Sequence, residues 1–347
     1  MRAIPRSILC LVLVGACLLG APSAGAQSVV DRTPNLSGGW VGPRGTAYFN
    51  FLHRFEHGQP PVRKVTNFPT FLMGYTPVNG LLLAAHYATN SDLVANYPNE
   101  WEFFARWAGL DLGPARVALT GGWNHAAESL DGEASLRVVA GRLALLGVAR
   151  GFSAGYGGDA RFVVGGGAVL GLGSNVALAG DVVTLTDRSA AEEVAWSAGL
   201  QLRIPYTPHS LSLHASNTNT ATLEGSSRGG DVTRYGFEFT IPISLSRYLN
   251  RGPGAPAVMT TADTIVVTIR DFDYSPASVT IRPGATVVFV NEGAIGHTAT
   301  ADDGSWDTGM INPGARASHT FPAGGGAYHC APHPFMKGAI VVSGGER

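Results

Sequence analysis

From Ala47 to Ile243 the chain alternates apolar and polar residues at every second position, many times over, with almost no helical period. In Thr233–Ile243, Tyr235, Phe237, Phe239, Ile241 and Ile243 share one face, while Arg234, Glu238 and Thr240 take the other. Glu193–Ile204 sets Val194, Trp196, Ala198, Leu200, Leu202 and Ile204 against Glu193, Ser197, Gln201 and Arg203. Glu100–Leu110, Arg116–Trp123 and Ser210–Ser216 repeat the pattern. Further candidates are Ala47–Phe55, Val65–Met73, Leu81–Thr89, Ala134–Ala140, Arg142–Gly151, Arg161–Leu170 and Asn175–Leu185. Asn79-Gly80, Asp131-Gly132, Gly157-Gly158 and Gly229-Gly230 are read as the turns between them. The result is about twelve strands in an all-β chain.

Two architectures share this pattern. A soluble barrel or sandwich turns the apolar face inward, whereas a transmembrane barrel turns it to lipid and keeps a polar lumen. A soluble up-and-down barrel usually closes at about eight strands, and strands of about 9–11 residues suit a bilayer. Arg and Glu in mid-strand suit a wet lumen, and Trp101, Trp107, Trp123 and Tyr235 sit where an interfacial girdle would. Residues 27–249 are therefore read as a transmembrane-type antiparallel β-barrel with outer-membrane lipid around it. An exported soluble β-sandwich is the competing reading. Phe49-Asn50-Phe51-Leu52-His53-Arg54-Phe55, Leu211 to Asn217 and Arg234 to Phe239 also resemble a family of uncharacterised outer-membrane β-barrels. That resemblance implies a fold and no activity.

The N-terminus has the pattern of an export signal over residues 1–26. Arg2 and Arg6 precede an apolar run from Ile8 to Leu19, and Ala24-Gly25-Ala26 offers a cleavage site. A lipoprotein signal ending before Cys17 is the alternative. Cleavage after Ala26 removes Cys10 and Cys17 and leaves Cys330 as the one thiol, so no internal disulfide can form. A Pro/Gly linker is expected at 250–261, around Gly252-Pro253-Gly254-Ala255-Pro256, with a second domain over 262–347.

That second domain carries the most specific chemistry. Tyr328-His329-Cys330-Ala331-Pro332-His333-Pro334-Phe335-Met336 places Cys, His and Met three residues apart, and His297 lies upstream. A thiolate, two imidazoles and a thioether are the donor set of a mononuclear blue-copper site. His297, Cys330, His333 and Met336 are the expected ligands of one type 1 copper, with Met336 the weak axial donor. Cys330 must lose its proton to bind. Short apolar strands over Thr264–Arg270, Ser278–Arg282, Thr286–Asn291, His297–Ala301, Ala317–Phe321, Ala327–Cys330 and Gly338–Val342 point to a Greek-key β-sandwich.

Residues from about 264 to 342 resemble the cupredoxins, nearest the amicyanin and plastocyanin branch. The resemblance lies in Phe272 to Pro276, Val279 to Gly284, Val288 to Asn291, His297-Thr298, Asp307 to Gly314 and the run from Tyr328 to Met336. It implies one-electron transfer. It also implies that Asn291 braces the ligand loop, and that a redox protein docks on the apolar surface near Pro332, Pro334 and Phe335. A bacterial barrel with an even strand count places both termini in the periplasm, so the cupredoxin is expected there.

The remaining histidines read as ordinary. His329 neighbours Cys330 on a strand, so it should face the other way. His319 reads as a surface residue, and His53, His57, His86, His125, His209 and His214 are scattered. A net charge of −1 gives no footprint for nucleic acid. Electron transfer leads over a copper-binding or delivery protein whose barrel is a pore or anchor, because the chain has five Met and no Met- or His-rich tract. An enzyme reading lacks a convergent catalytic constellation.

Overall fold

The computed structural model describes residues 32–343, apart from 246–257, 260–262 and positions 62, 174, 206, 271 and 294. The expected signal at 1–26 and most of the expected linker lie outside the described residues. Twelve strands close into one barrel: β1 (Thr46–His57), β2 (Val65–Val78), β3 (Leu81–Thr89), β4 (Asn99–Leu112), β5 (Ala115–Asn124), β6 (Ser129–Ala140), β7 (Leu143–Phe152), β8 (Arg161–Gly171), β9 (Val176–Leu185), β10 (Ala195–Arg203), β11 (Ser210–Ser216) and β12 (Arg234–Ser244). Each pairs antiparallel with its chain neighbours, and β1 meets β12 with Phe51 opposite Phe239.

The period-two pattern places apolar side chains outside. Leu119, Leu145, Val164, Leu178, Val182 and Leu213 are all exposed on the outer face. The residues that alternate with them are polar and buried, among them Glu102, Arg106, Glu133, Arg150, Asp181 and Glu238. Strand connections differ at the two ends. One end carries tight links at 79–80, 113–114 and 141–142, and the other carries longer ones at 58–64, 90–98, 186–194 and 217–233. Thr46 pairs with Ser244, so the barrel begins and finishes at the tight-turn end. Tyr87, Trp101, Trp123, Phe162 and Tyr235 lie near the long-loop ends of their strands, and Trp107 is opposite Leu81 beside the tight Asn79-Gly80 turn.

The lumen is filled by two segments that carry no strand periodicity. Residues 32–41 and 217–227 are largely buried and bond to inward side chains. Arg54 donates to Asn35 Oδ1 at 2.9 Å and to the Thr220 carbonyl at 3.0 Å. Arg150 pairs with Glu133 at 2.8 Å and donates to the Ser226 and Ser227 hydroxyls at 2.9 and 2.7 Å. A cavity of about 60 Å³ remains between Arg32, His86, Arg106, Glu133 and Arg150. One expected turn is a strand instead. Asp131 and Gly132 lie inside β6, opposite Phe152 and Gly151, because the link after β5 is already made at 125–128.

The C-terminal region is a two-sheet sandwich. Its strands are β13 (Val258–Met259), β14 (Thr264–Arg270), β15 (Asp273–Ser275), β16 (Ser278–Ile281), β17 (Ala285–Asn291), β18 (Thr300–Ala301), β19 (Arg316–Phe321), β20 (Gly326–Cys330) and β21 (His333–Val342). One sheet runs β13-β16-β21-β20-β18 and the other β15-β14-β17-β19. Val258 and Met259, inside the stretch expected as linker, pair parallel with Val279 and Thr280. The core includes Val267, Ile269, Tyr274, Phe289, Tyr328 and Ile340 and draws only on this region.

Candidate metal centre

His297 follows β17, Cys330 ends β20, and His333 and Met336 lie on β21. The ligand loop is a tight hairpin. Cys330 pairs directly with His333 across a two-residue turn, with a register shift between His329 and Cys330. His297 is held by reciprocal backbone bonds with Ile311, at 3.1 Å from His297 N–H and 2.7 Å to its carbonyl. The distant His297 thus arrives beside the hairpin.

Cys330 Sγ lies 3.6 Å from His297 Nδ1 and 3.4 Å from His333 Nδ1. Among the described residues this is the group of three His, Cys, Asp or Glu side chains whose donor atoms all lie within 4.8 Å of one another. Cys330, His297, His333 and Met336 are all buried. Burial and the neighbouring His333 pull His297 down to about 4, so its imidazole is neutral with a free lone pair at neutral pH. The Thr298 N–H donates to Cys330 Sγ at 3.3 Å and favours the thiolate. Soft sulfur and imidazole donors with no carboxylate among them fit copper better than a hard cation.

Asn291 is fully buried, but its side chain braces a different segment from the one expected. Its Nδ2 donates to the carbonyls of Ile295 at 2.7 Å and Ile311 at 2.8 Å, and its Oδ1 accepts from the Gly293 N–H at 2.9 Å. These bonds fix the approach to His297 and the strand-like segment beside it. The bond to the Cys330 loop comes from Thr298, whose hydroxyl accepts from the Ala331 N–H at 2.8 Å. Phe272, expected only as part of an opening strand, also packs on the ligands. Its ring sits edge-on to His333 at 4.8 Å and to His297 at 5.8 Å between centroids, and 5.8 Å from Phe335. Thr298 was legible as the neighbour of a ligand, whereas nothing local marked Phe272 as a neighbour of the imidazoles.

His329 points away as expected and pairs with Asp302 at 2.6 Å. His319 packs on Trp306 with ring centroids 5.2 Å apart. In the barrel, His86 binds Glu102 at 2.7 Å and His214 meets the Ser212 hydroxyl at 3.3 Å. Phe335 and Met310 are exposed near the hairpin.

Residues 261–343 match the copper-binding proteins of the plastocyanin/azurin family. The C-terminal domain belongs to that family. It is 34% identical over 87 residues to the amicyanin of Paracoccus versutus, covering 23% of this chain and 66% of that protein. It is 33% identical over 84 residues to the amicyanin of Paracoccus denitrificans, covering 22% and 64%. The chain therefore spans about two thirds of the length of these curated relatives. The crystal structure of the Paracoccus versutus amicyanin is similar at 32% identity and TM-score 0.22, covering 24% of this chain and 85% of that one. A reduced Cu(I) form of an amicyanin variant at pH 4 is similar at 33% identity and TM-score 0.22, covering 24% and 86%. The soft donor set of Cys330, His297, His333 and Met336 fits the metal of that copper-binding family.

Proposed function

We propose that the protein is an electron carrier, not an enzyme, with its cupredoxin domain tethered to an outer-membrane barrel. The observation that carries this is the buried Cys330 thiol with the Nδ1 atoms of His297 and His333 on it. Those three residues and Met336 would hold one type 1 copper. Copper bound there supplies a one-electron Cu(II)/Cu(I) couple. The protein's part is to keep the donors still. Cys330 gives up its proton on loading, and the Thr298 N–H stabilises the resulting thiolate. Asn291 fixes the turn before His297, while Phe272 limits rotation of both imidazoles and keeps water off them. Donors that cannot shift between charge states lower the reorganisation that each transfer requires.

The partner is a redox protein that docks on the apolar surface of Pro332, Pro334 and Phe335, with Met310 beside it. Delivery of copper to other proteins is less well supported, because His297, Cys330 and Met336 are buried and a recipient cannot reach them.

Membrane placement rests on the barrel's inside-out polarity. A water-soluble barrel would hide Leu119 and Val182, yet here they are 47% and 54% exposed while Arg150 and Glu133 are buried. With the tight turns on the periplasmic side, the first residue of β1 and the last of β12 both face the periplasm and the cupredoxin hangs there. Tethering would raise its effective concentration near membrane partners. The filled lumen favours an anchor over a pore.

Voltammetry of the copper-loaded full chain tests the carrier role. One reversible one-electron wave, absent from Cys330→Ala, supports it. Copper that binds but shows no reversible couple leaves a storage protein.

A further inference from the structure

Most buried carboxylates of the lumen have their charge met. Glu133 pairs with Arg150 and Glu238 with Arg32. Glu102 meets His86 and the Leu223 N–H. Glu100 accepts from Ser91, Asn124 and Thr222, and Asp181 from Asn35 and Ser197.

Asp131 and Glu224 break this pattern. Among the buried side-chain atoms described, Asp131 Oδ2 and Glu224 Oε1 are the carboxylate oxygens that have no donor. Asp131 is 4% exposed and Glu224 is 0% exposed, and the two side chains lie within hydrogen-bonding reach of each other. Their other oxygens are occupied. Ser129 Oγ donates to Asp131 Oδ1 at 2.6 Å, and the Tyr156 N–H donates to Glu224 Oε2 at 2.5 Å. The charged groups that bear on the pair include Glu100 and Glu102, which add negative potential. The Arg228 guanidinium sits over the Tyr156 ring at 4.0 Å. Two touching carboxylates away from water cannot both stay ionised without a counter-charge.

The geometry points to a divalent cation, calcium, bound between Asp131 and Glu224 with the Ser129 hydroxyl at its side. All the donors are oxygen, which suits a hard cation, and two carboxylates balance a double positive charge. Asp131 is on the wall strand β6, Glu224 on the segment between β11 and β12, and Tyr156 on the link after β7. The cation therefore staples the 217–227 segment to the opposite wall near the long-loop end. Its removal loosens that segment. This site is independent of the copper centre.

The test uses the full chain in detergent, stripped with EDTA and dialysed. Equilibrium dialysis with radioactive calcium is the first readout and limited proteolysis between 217 and 233 is the second. The expected result is one calcium per chain, with the segment protected when calcium is present. Asp131→Asn and Glu224→Gln should each weaken binding by about tenfold or more, and Cys330→Ala should leave it unchanged. Near-ultraviolet circular dichroism identifies any variant that fails to fold. Ser129→Ala then stands in, with a smaller loss expected. Folded wild-type protein that binds no calcium overturns the proposal, and so does binding that survives both carboxylate variants. Protection that follows pH with no response to calcium also overturns it, since a shared proton would then bridge the pair.

Discussion

Replacing Asn291 with alanine tests whether the approach to His297 is held by one side chain. The substitution removes three hydrogen bonds of 2.7, 2.8 and 2.9 Å from a fully buried position. The Ile311 carbonyl still accepts from the His297 N–H, so it is not orphaned. The Ile295 carbonyl and the Gly293 N–H lose their side-chain partner. Each net bond is worth ~1 kcal/mol, and stranding a buried group raises the cost, so the expected loss is ~3 kcal/mol. That is a large part of the ~5–15 kcal/mol of a typical domain. Because the core draws only on this region, the assay can use residues 258–347 without metal. Urea unfolding is followed by fluorescence of Trp306, the one tryptophan in that fragment. Trp306 stacks on Phe289 at 6.0 Å between centroids, so its emission reports the core. A loss below ~1 kcal/mol with native emission would refute the bracing argument, because the Asn291 bonds would then contribute less than a single exposed one.

His297 is held near 4 when folded and titrates near 6.5 when unfolded, so the unfolded chain binds the extra proton. Stability of the metal-free fragment should therefore fall as pH drops from about 6.5 to about 4, by ~3 kcal/mol at most. Urea midpoints across that range should show the slope, and His297→Ala should flatten it. Phe272→Ala should cost ~1–3 kcal/mol and speed the exchange of bound copper with a chelator, followed by its absorbance. Leu119→Arg on the outer barrel face should impair insertion into lipid vesicles, with a penalty of ~2–4 kcal/mol near mid-bilayer. In a water-soluble barrel the same change would be nearly neutral.

Much of this was legible in the sequence, for a physical reason. Strands show their period directly, so twelve antiparallel strands follow from local pattern, whereas the outward turn of Leu and Val does not, because an inward-facing barrel has the same period. The copper donors are also local, with Cys330, His333 and Met336 carried by one hairpin. Contacts between distant segments were not legible. Residues 32–41 and 217–227 have no period, so nothing local announces that they fill the lumen. Asp131-Gly132 has turn chemistry but was overridden by pairing with β7. Asn291 was identified by resemblance, yet its bonds go to Ile295 and Ile311, which depends on how the loop closes.

The central claim is that His297, Cys330, His333 and Met336 assemble one type 1 copper site. Visible absorption and EPR on the full chain, stripped of metal and titrated with Cu(II), test it most directly. The account predicts an intense thiolate-to-copper band and narrow hyperfine splitting at one copper per chain, both lost in Cys330→Ala. A pale spectrum with ordinary tetragonal copper, or no saturable binding at these residues, would contradict it.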